Sequence, residues 1–189
     1  MSERRSKLKL RRRQLSPVDV ANGSRSVCDH LLGLLAQLQI ENLAIYFSAE
    51  NEINVAGIIP EMEFKGCQLF APKAIANSQN PYSVAPYGGP FGFNLVTGRF
   101  GIQEPVASAL AIDDAKSRVE CWVVPGVGFT ASGGRIGHGR GFYDRLLAGT
   151  PGIKIGIGYD WQVVPVLRQL PHDVRMDYLV TPGEIVRCR

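Results

Sequence analysis

The chain has little cysteine: four in 189 residues, at Cys28, Cys67, Cys121 and Cys188, with no CxxC pair. That spacing argues against zinc and dithiol motifs. Cys28, Cys67 and Cys121 lie in apolar periodic segments, so buried free thiols are expected, as in a reducing cytoplasm. No apolar run is long enough to span a bilayer, and no membrane partner is expected. A secretory leader is also absent, because the basic start is followed by Ser16-Pro17-Val18-Asp19 and not by an apolar run. An Arg-rich, acid-poor start also fits a transit peptide, but the same residues have a structural use given below. There is no GxxxxGK[ST], no GxSxG and no HExxH, which sets aside the Walker A loop, the nucleophile elbow and the zincin helix.

Charge of one sign is missing from most of the chain. Residues 1–13 hold seven Lys/Arg and one Glu, leaving 14 basic and 16 acidic residues in the rest. A near-neutral body with a basic arm is not a general nucleic-acid binder. Two readings of the arm stay open. One is a solvated charged end, and the other is a helix over 3–15 that folds back to place Arg4 or Arg5 near an anion. An RNA-binding role for the arm is the weakest reading, because the remainder is nearly neutral.

What is plentiful is glycine, and it is concentrated. Seven of 21 glycines fall in Pro125–Asp144, PGVGFTASGGRIGHGRGFYD. The apolar run Val119–Val124 precedes this stretch and reads as a buried strand. A helix over about Arg140–Ala148 follows it. A strand, a glycine-rich basic loop and a helix start are the parts of an anion site. Gly126-Val127-Gly128-Phe129-Thr130-Ala131 matches GxGxxA, but Ser132-Gly133-Gly134 follow where a Rossmann helix must open. Asp160 also lies about 30 residues on, against the ~20 of that fingerprint. The remaining candidate is Gly134–Asp144. Gly137, Gly139 and Gly141 let backbone N–H groups turn toward one anion. Arg135 and Arg140 offer bidentate contacts to phosphate. Asp144 is a natural carboxylate for Mg²⁺ beside phosphate oxygens.

The rest of the chain reads as support. Ser16, Pro17 and Asp19 form a helix start with a capping box. Val18, Ala21, Cys28, Leu31, Leu32, Leu35 and Leu38 carry the helical period, with Gly23 and Gly33 weakening it; His30 is read as structural. Leu43–Ser48 reads as a buried strand ending in Ala49-Glu50-Asn51-Glu52. Acids there sit where open α/β sheets bind ligands, and a polar helix-capping loop is an equal reading. A helix over 53–65 broken at Pro60, a strand Cys67–Ala71, and one or two hairpin strands within 72–101 follow. The aromatics Tyr82, Tyr87, Phe91, Phe93 and Phe100 are either core or one wall of a flat-ring pocket. Gly101–Pro105 reads as a turn and the stretch to about Lys116 as a loop. Ile153–Tyr159 is a strand whose alternate glycines imply close approach of another backbone. A short helix over Gln162–Leu170 and a last strand Tyr178–Thr181 complete the chain. Alternating strands and helices predict a three-layer α/β/α sandwich with a mostly parallel sheet, in one domain.

GGRIGHGRGFYD after PGVGF resembles the signature of the 5-formyltetrahydrofolate cyclo-ligase, or 5,10-methenyltetrahydrofolate synthetase, family. The basic N-terminal helix, SPVD, YFSAENEI, FGIQEP and LPHDVRMDYLVT look like family segments in family order, over nearly the whole chain. The resemblance implies an α/β sandwich acting as a cytoplasmic monomer. It also implies ATP- and Mg²⁺-dependent closure of 5-formyltetrahydrofolate to 5,10-methenyltetrahydrofolate through a phosphorylated formyl group. It implies that Arg135, Ile136, Gly137, His138, Gly139, Arg140, Gly141, Phe142 and Tyr143 hold the ATP phosphates, and that Arg5 reaches ATP from the arm. His138 to Phe142 also serve the folate, with Phe47 lining its pocket and Glu52 binding the pterin. Arg140, His138 and Tyr143 are the implied catalytic residues. Asp144 and Asp173 are the implied Mg²⁺ ligands, with Asp177 the alternative to Asp173. The family often has Lys where Met1 stands, Asp where Thr130 stands and Tyr where Phe142 stands. A folate- or nucleotide-binding protein without activity is the alternative on the same fold.

Overall fold

The computed structural model describes residues 2–74, 82–87, 95–97, 103–105, 112–139, 141–168, 170 and 173–188. The basic arm is a helix, α1 (Ser2–Arg13), with no Gly, Pro or β-branched residue to break it. It is docked on one stripe: Arg5, Leu8 and Lys9 are half-buried and Arg12 is buried, at the i, i+3, i+4, i+7 spacing of one helical face. Leu8 packs so close to Gly128 that a Cβ there would lie 2.8 Å from Cδ1. The arm is therefore not a solvated end.

Helix α2 (Pro17–Leu38) opens with the expected capping box: the Ser16 hydroxyl accepts from Asp19 N–H at 3.1 Å, and the Asp19 carboxylate accepts from Ser16 N–H at 3.3 Å. Cys28, Leu31, Leu32, Leu35 and Leu38 face the core as expected, and the face differs at its start. Val18 and Ala21 are exposed, and Gly23, Ser24, Val27, Leu31 and Leu34 face inward. Gly23 is a point of close approach, since a Cβ there would lie 2.9 Å from the Tyr159 ring. The His30 ring pairs with the Thr181 carbonyl at 3.0 Å, as a structural histidine would.

The sheet strands are β1 (Asn42–Ala44), β2 (Gln68–Ala74), β3 (Tyr82–Tyr87), β6 (Cys121–Pro125), β9 (Ile153–Ile157), β10 (Tyr178–Val180) and β11 (Ile185–Arg187). Two small pairs lie outside it: β4 (Leu95–Thr97) with β5 (Gln103–Pro105), and β7 (Gly128–Phe129) with β8 (Arg135–Ile136). The sheet order is β11-β10-β9-β6-β1-β2-β3. Its middle five strands are parallel, and β3 and β11 add antiparallel edges. Successive strand residues point to opposite faces. Leu43, Leu69, Cys121, Val123, Ile155 and Ile157 share a core with α2 and with Ile58 and Met62, from a 3₁₀ turn (Ala56–Ile58) and α3 (Ile59–Phe64). Ala44, Phe70, Trp122, Val124 and Leu179 share the other core with Ala115 of α4 (Ile112–Arg118) and Leu146 and Leu147 of α5 (Phe142–Leu147). The three-layer sandwich is the expected one. Cys28, Cys67 and Cys121 are buried and all four cysteines are free. Burial pushes the Cys67 thiol up to about 11.

Several local expectations are corrected. β1 stops at Ala44; Ile45 N–H still donates to the Phe70 carbonyl of β2 at 2.9 Å, but Ile45–Ala49 belong to no strand. Gln162–Leu170 is not a helix; a 3₁₀ turn, Asp160–Gln162, is followed by irregular chain. Gln103–Pro105 is a paired strand where a turn was expected, and Ile112–Arg118 is a helix where a loop was expected. β11 had no sequence signal, being three residues long beside a charged terminus. Phe91, Phe93 and Phe100 lie outside the described residues. The group that presses on the glycines in and after β9 is a side chain and not a backbone. The Phe129 ring would lie 2.7 Å from a Cβ at Gly156 and 2.9 Å from one at Gly158.

Two glycines in this frame should respond oppositely to alanine. Gly133 has φ +85°, and a Cβ would fall 2.3 Å from the Met176 carbonyl oxygen. Gly133→Ala is expected to cost about 2–4 kcal/mol. Gly33 is exposed within α2, and a Cβ there would meet nothing within 4 Å, so Gly33→Ala is expected to add about 0.5–1 kcal/mol. Urea denaturation of the two variants checks both signs.

Candidate active site

The chain crosses from β1 to β2 on one side, and from β6 to β9 and β10 on the other. β1 and β6 are neighbours, so strand order reverses between them, and the crevice outside their carboxyl ends is where such sheets bind ligands. The segment after β1 brings Phe47 to Glu52 there, and the segment after β6 is the glycine-rich stretch. They meet where His138 Nε2 lies 3.2 Å from Glu52 Oε1.

Glu52 is nearly buried, with its side chain 10% exposed. Its Oε1 also accepts from Arg12 Nη1 at 3.0 Å, and its Oε2 accepts from Ala49 N–H at 3.1 Å. Neighbouring Glu50 pairs with Arg13 at 3.3 Å. That hydrogen bond is the main reason its carboxyl sits below the usual range. Asn51 has a left-handed backbone, φ 58°. Its side-chain amide donates to the carbonyls of Arg12 and Leu15 at 3.2 and 3.3 Å, fastening the end of α1. From the other end of α1, the Arg5 guanidinium lies against Gly139: a Cβ there would be 2.9 Å from Nη1. Arg4 donates to the Val166 carbonyl, and Arg11 lies 4.7 Å over the Trp161 ring, which stacks on Tyr159.

The glycine-rich stretch has two halves. The first is the β7–β8 hairpin, closed by Thr130, whose hydroxyl accepts from Gly134 N–H at 2.9 Å. Thr130 is buried and structural. Phe129 seats the hairpin on the sheet over Gly126, Gly156 and Gly158. Buried Gln162 clamps it from below: Nε2 donates to the Gly126 and Val127 carbonyls at 3.0 and 2.9 Å, and Oε1 accepts from Tyr159 N–H at 2.9 Å. In the second half the described residues Gly137–Gly139 and Gly141 belong to no strand or helix, with φ +101° at Gly139 and +62° at Gly141.

Arg135 joins the halves. Its side chain is 3% exposed and pairs with Asp144 at 2.9 Å. It also lies 5.4 Å over the Tyr143 ring. Burial, and next the Glu52 carboxylate, push the Tyr143 phenol well up. At neutral pH it is therefore a hydrogen-bond donor and not a base. Phe47 meets Tyr87 edge to face at 5.2 Å, and Phe142 meets Tyr143 the same way at 5.1 Å.

The structure thus brings Arg5, Phe47, Glu52, Arg135, Gly137, His138, Gly139, Gly141, Phe142, Tyr143 and Asp144 to one end of the sheet. Ile136 is a core side chain that offers the site only its backbone, and its carbonyl accepts from Val127 N–H at 2.7 Å. Arg140 lies outside the described residues. Asp173 Oδ2 accepts from Leu170 N–H at 2.7 Å. Asp177, its alternative, accepts from Lys154 N–H at 2.7 Å, a link between strands. Sequence reasoning missed Arg12 and Gln162. Arg12 had a signal, since it shares a helical stripe with Arg5 and Leu8. For Gln162 the partners that matter to the loop, the Gly126 and Val127 carbonyls, are more than thirty residues away in sequence and gave no signal.

The model of the 5-formyltetrahydrofolate cyclo-ligase family matches residues 1–182. The chain belongs to this family. It is 29% identical to 5-formyltetrahydrofolate cyclo-ligase of Haemophilus influenzae, over 93% of this chain and 95% of that one. It is 28% identical to the probable 5-formyltetrahydrofolate cyclo-ligase of Schizosaccharomyces pombe, over 87% and 86%. The NMR structure of 5,10-methenyltetrahydrofolate synthetase from Aquifex aeolicus matches with a TM-score of 0.84 and 32% identity, covering 100% of this chain and 92% of that one. In cyclo-ligase terms, the family motif is here a hairpin plus a loop, held at its base by Gln162.

Replacing Gln162 by leucine would leave the Gly126 and Val127 carbonyls and the Tyr159 N–H without this partner. Gln162→Leu is expected to lower stability by about 2–5 kcal/mol, read as a lower urea midpoint.

Proposed function

We propose that the protein closes 5-formyltetrahydrofolate to 5,10-methenyltetrahydrofolate with ATP and Mg²⁺, through a phosphorylated formyl group, releasing ADP and phosphate. The observation that carries this reading is the pairing of two unlike subsites across the switch-point crevice. On one side, buried Arg5 Nε and Arg135 Nε have no hydrogen-bond partner among the described residues. Buried guanidinium N–H groups without partners fit an incoming anion. On the other side, the segment after β1 carries both the Glu52 carboxylate and Phe47, whose ring meets Tyr87 edge to face, and a carboxylate with aromatic rings suits a ring with N–H donors.

The chemistry needs both. A formamide oxygen leaves poorly, so ATP supplies a phosphoryl group to it, with Mg²⁺ neutralising the transferred charge. N10 then attacks the formyl carbon and loses its proton to solvent, the carbon–oxygen bond breaks as the N5 lone pair completes the amidinium, and phosphate carries the oxygen away. The protein's part is positioning and charge. Arg5 and Arg135, with Arg140, hold the phosphates, and the backbone at Gly137, Gly139 and Gly141 approaches them. Glu52 takes pterin N–H groups. His138 lies between the two subsites, against Glu52, and the Tyr143 phenol remains a donor. Asp144 and Asp173 serve Mg²⁺. Among the described residues no three His, Cys, Asp or Glu side chains gather to hold a metal.

The test is absorbance at the methenyl product band with 5-formyltetrahydrofolate, ATP and Mg²⁺, and with ATP or Mg²⁺ omitted. Turnover that needs all three is expected. Folded protein that binds the folate without turnover would sink the reading in favour of a binding protein. Arg5→Ala is expected to raise KM for ATP about 10–100-fold, with KM for the folate nearly unchanged.

A further inference from the structure

Arg12 is a buried cation that the proposed chemistry leaves without a role. It sits on α1 at 2% exposure. Nη1 donates to Glu52 Oε1 at 3.0 Å. Nε and Nη2 have no hydrogen-bond partner among the described residues, and Nη2 comes only to 3.9 Å from Glu50. A guanidinium this buried is costly unless it answers a charge, and the charge it answers is Glu52.

We propose that Arg12 is a positioning residue for Glu52. Its single Nη1 bond, with Ala49 N–H on the other oxygen, fixes the carboxylate so that Oε1 is shared with His138. The inference rests on the folate reading of Glu52 given above. Geometry extends it. Arg5 and Arg12 share one stripe of α1, seven residues or about 10.5 Å apart along the axis. Arg5 reaches Gly139 on the phosphate side, and Arg12 reaches Glu52 on the folate side. One rigid helix therefore sets the span between the two subsites. Asn51 reinforces this by binding the carbonyls at the end of α1. A lysine would keep the charge but lose the planar fork.

A double-mutant cycle tests the role, read as binding of 5-formyltetrahydrofolate without ATP. Arg12→Met and Glu52→Gln should each weaken binding about 30-fold or more. The double variant should be no weaker than Glu52→Gln alone, because Arg12 acts through that carboxylate. Arg12→Lys should retain part of the affinity for the folate. Additive losses would overturn the proposal. If Arg12→Met does not fold, the cycle is run with Arg12→Lys under the same criterion. A second arm needs no ligand: the His138 imidazole nitrogen shifts, identified by their loss in His138→Gln, should move in Arg12→Met or Arg12→Lys. Unmoved His138 signals would overturn the positioning role even if wild-type protein bound no folate, an outcome that would overturn the functional reading separately.

Discussion

The Glu52 carboxylate is the point on which the site depends. Three parts of the chain converge on it: α1 through Arg12, the turn after β1 through Ala49 N–H, and the glycine-rich loop through His138. A carboxylate at 10% exposure is held there only because donors replace the water it lost. In satisfying that charge, the protein also fixes where its N-terminal helix lies. Glu52 is the buried charge that this helix, with seven cations in twelve residues, answers; Glu50, the Trp161 ring and the Val166 carbonyl hold Arg13, Arg11 and Arg4 nearer the surface.

The second constraint is steric. The glycine-rich loop has to be free enough in backbone to wrap a ligand yet fixed in position. The two demands are met by different residues. Gly139 and Gly141 take positive φ in the second half. Phe129, Thr130 and Gln162 fix the other half through a ring on three glycines, a hydroxyl in a tight turn, and an amide on two carbonyls. Thr130 stands where the family commonly has Asp. Its hydroxyl makes the backbone bond that a short acceptor side chain makes in such turns, so the departure belongs to the hairpin and not to the ligand.

The sandwich was legible in the sequence because hydrophobic runs such as Cys121–Val124 and Ile153–Ile157 need two covered faces, whatever surrounds them. The start of α2 was legible because Ser16 and Asp19 act within three residues of each other. The start of its buried face was not. Val18 and Ala21 fit the period, but Tyr159 and Thr181, brought in from just past β9 and β10, decided that Gly23 packs inward and that His30 turns to a backbone carbonyl. Gln162–Leu170 read as a helix, yet Gln162 spends its side chain on the loop base, and Pro165 follows.

The same division holds within the site. Local composition was enough to mark Pro125–Asp144 as an anion loop, since glycine, arginine and a flanking strand express their preferences over a few residues. It was also enough for the family signature. Which cations lie near that loop was a matter of packing. Arg5 and Arg12 are over a hundred residues away from it in sequence, and only docking of α1 sets them at Gly139 and Glu52. A short-range propensity is written in neighbouring residues, whereas a buried charge finds its partner through the whole fold.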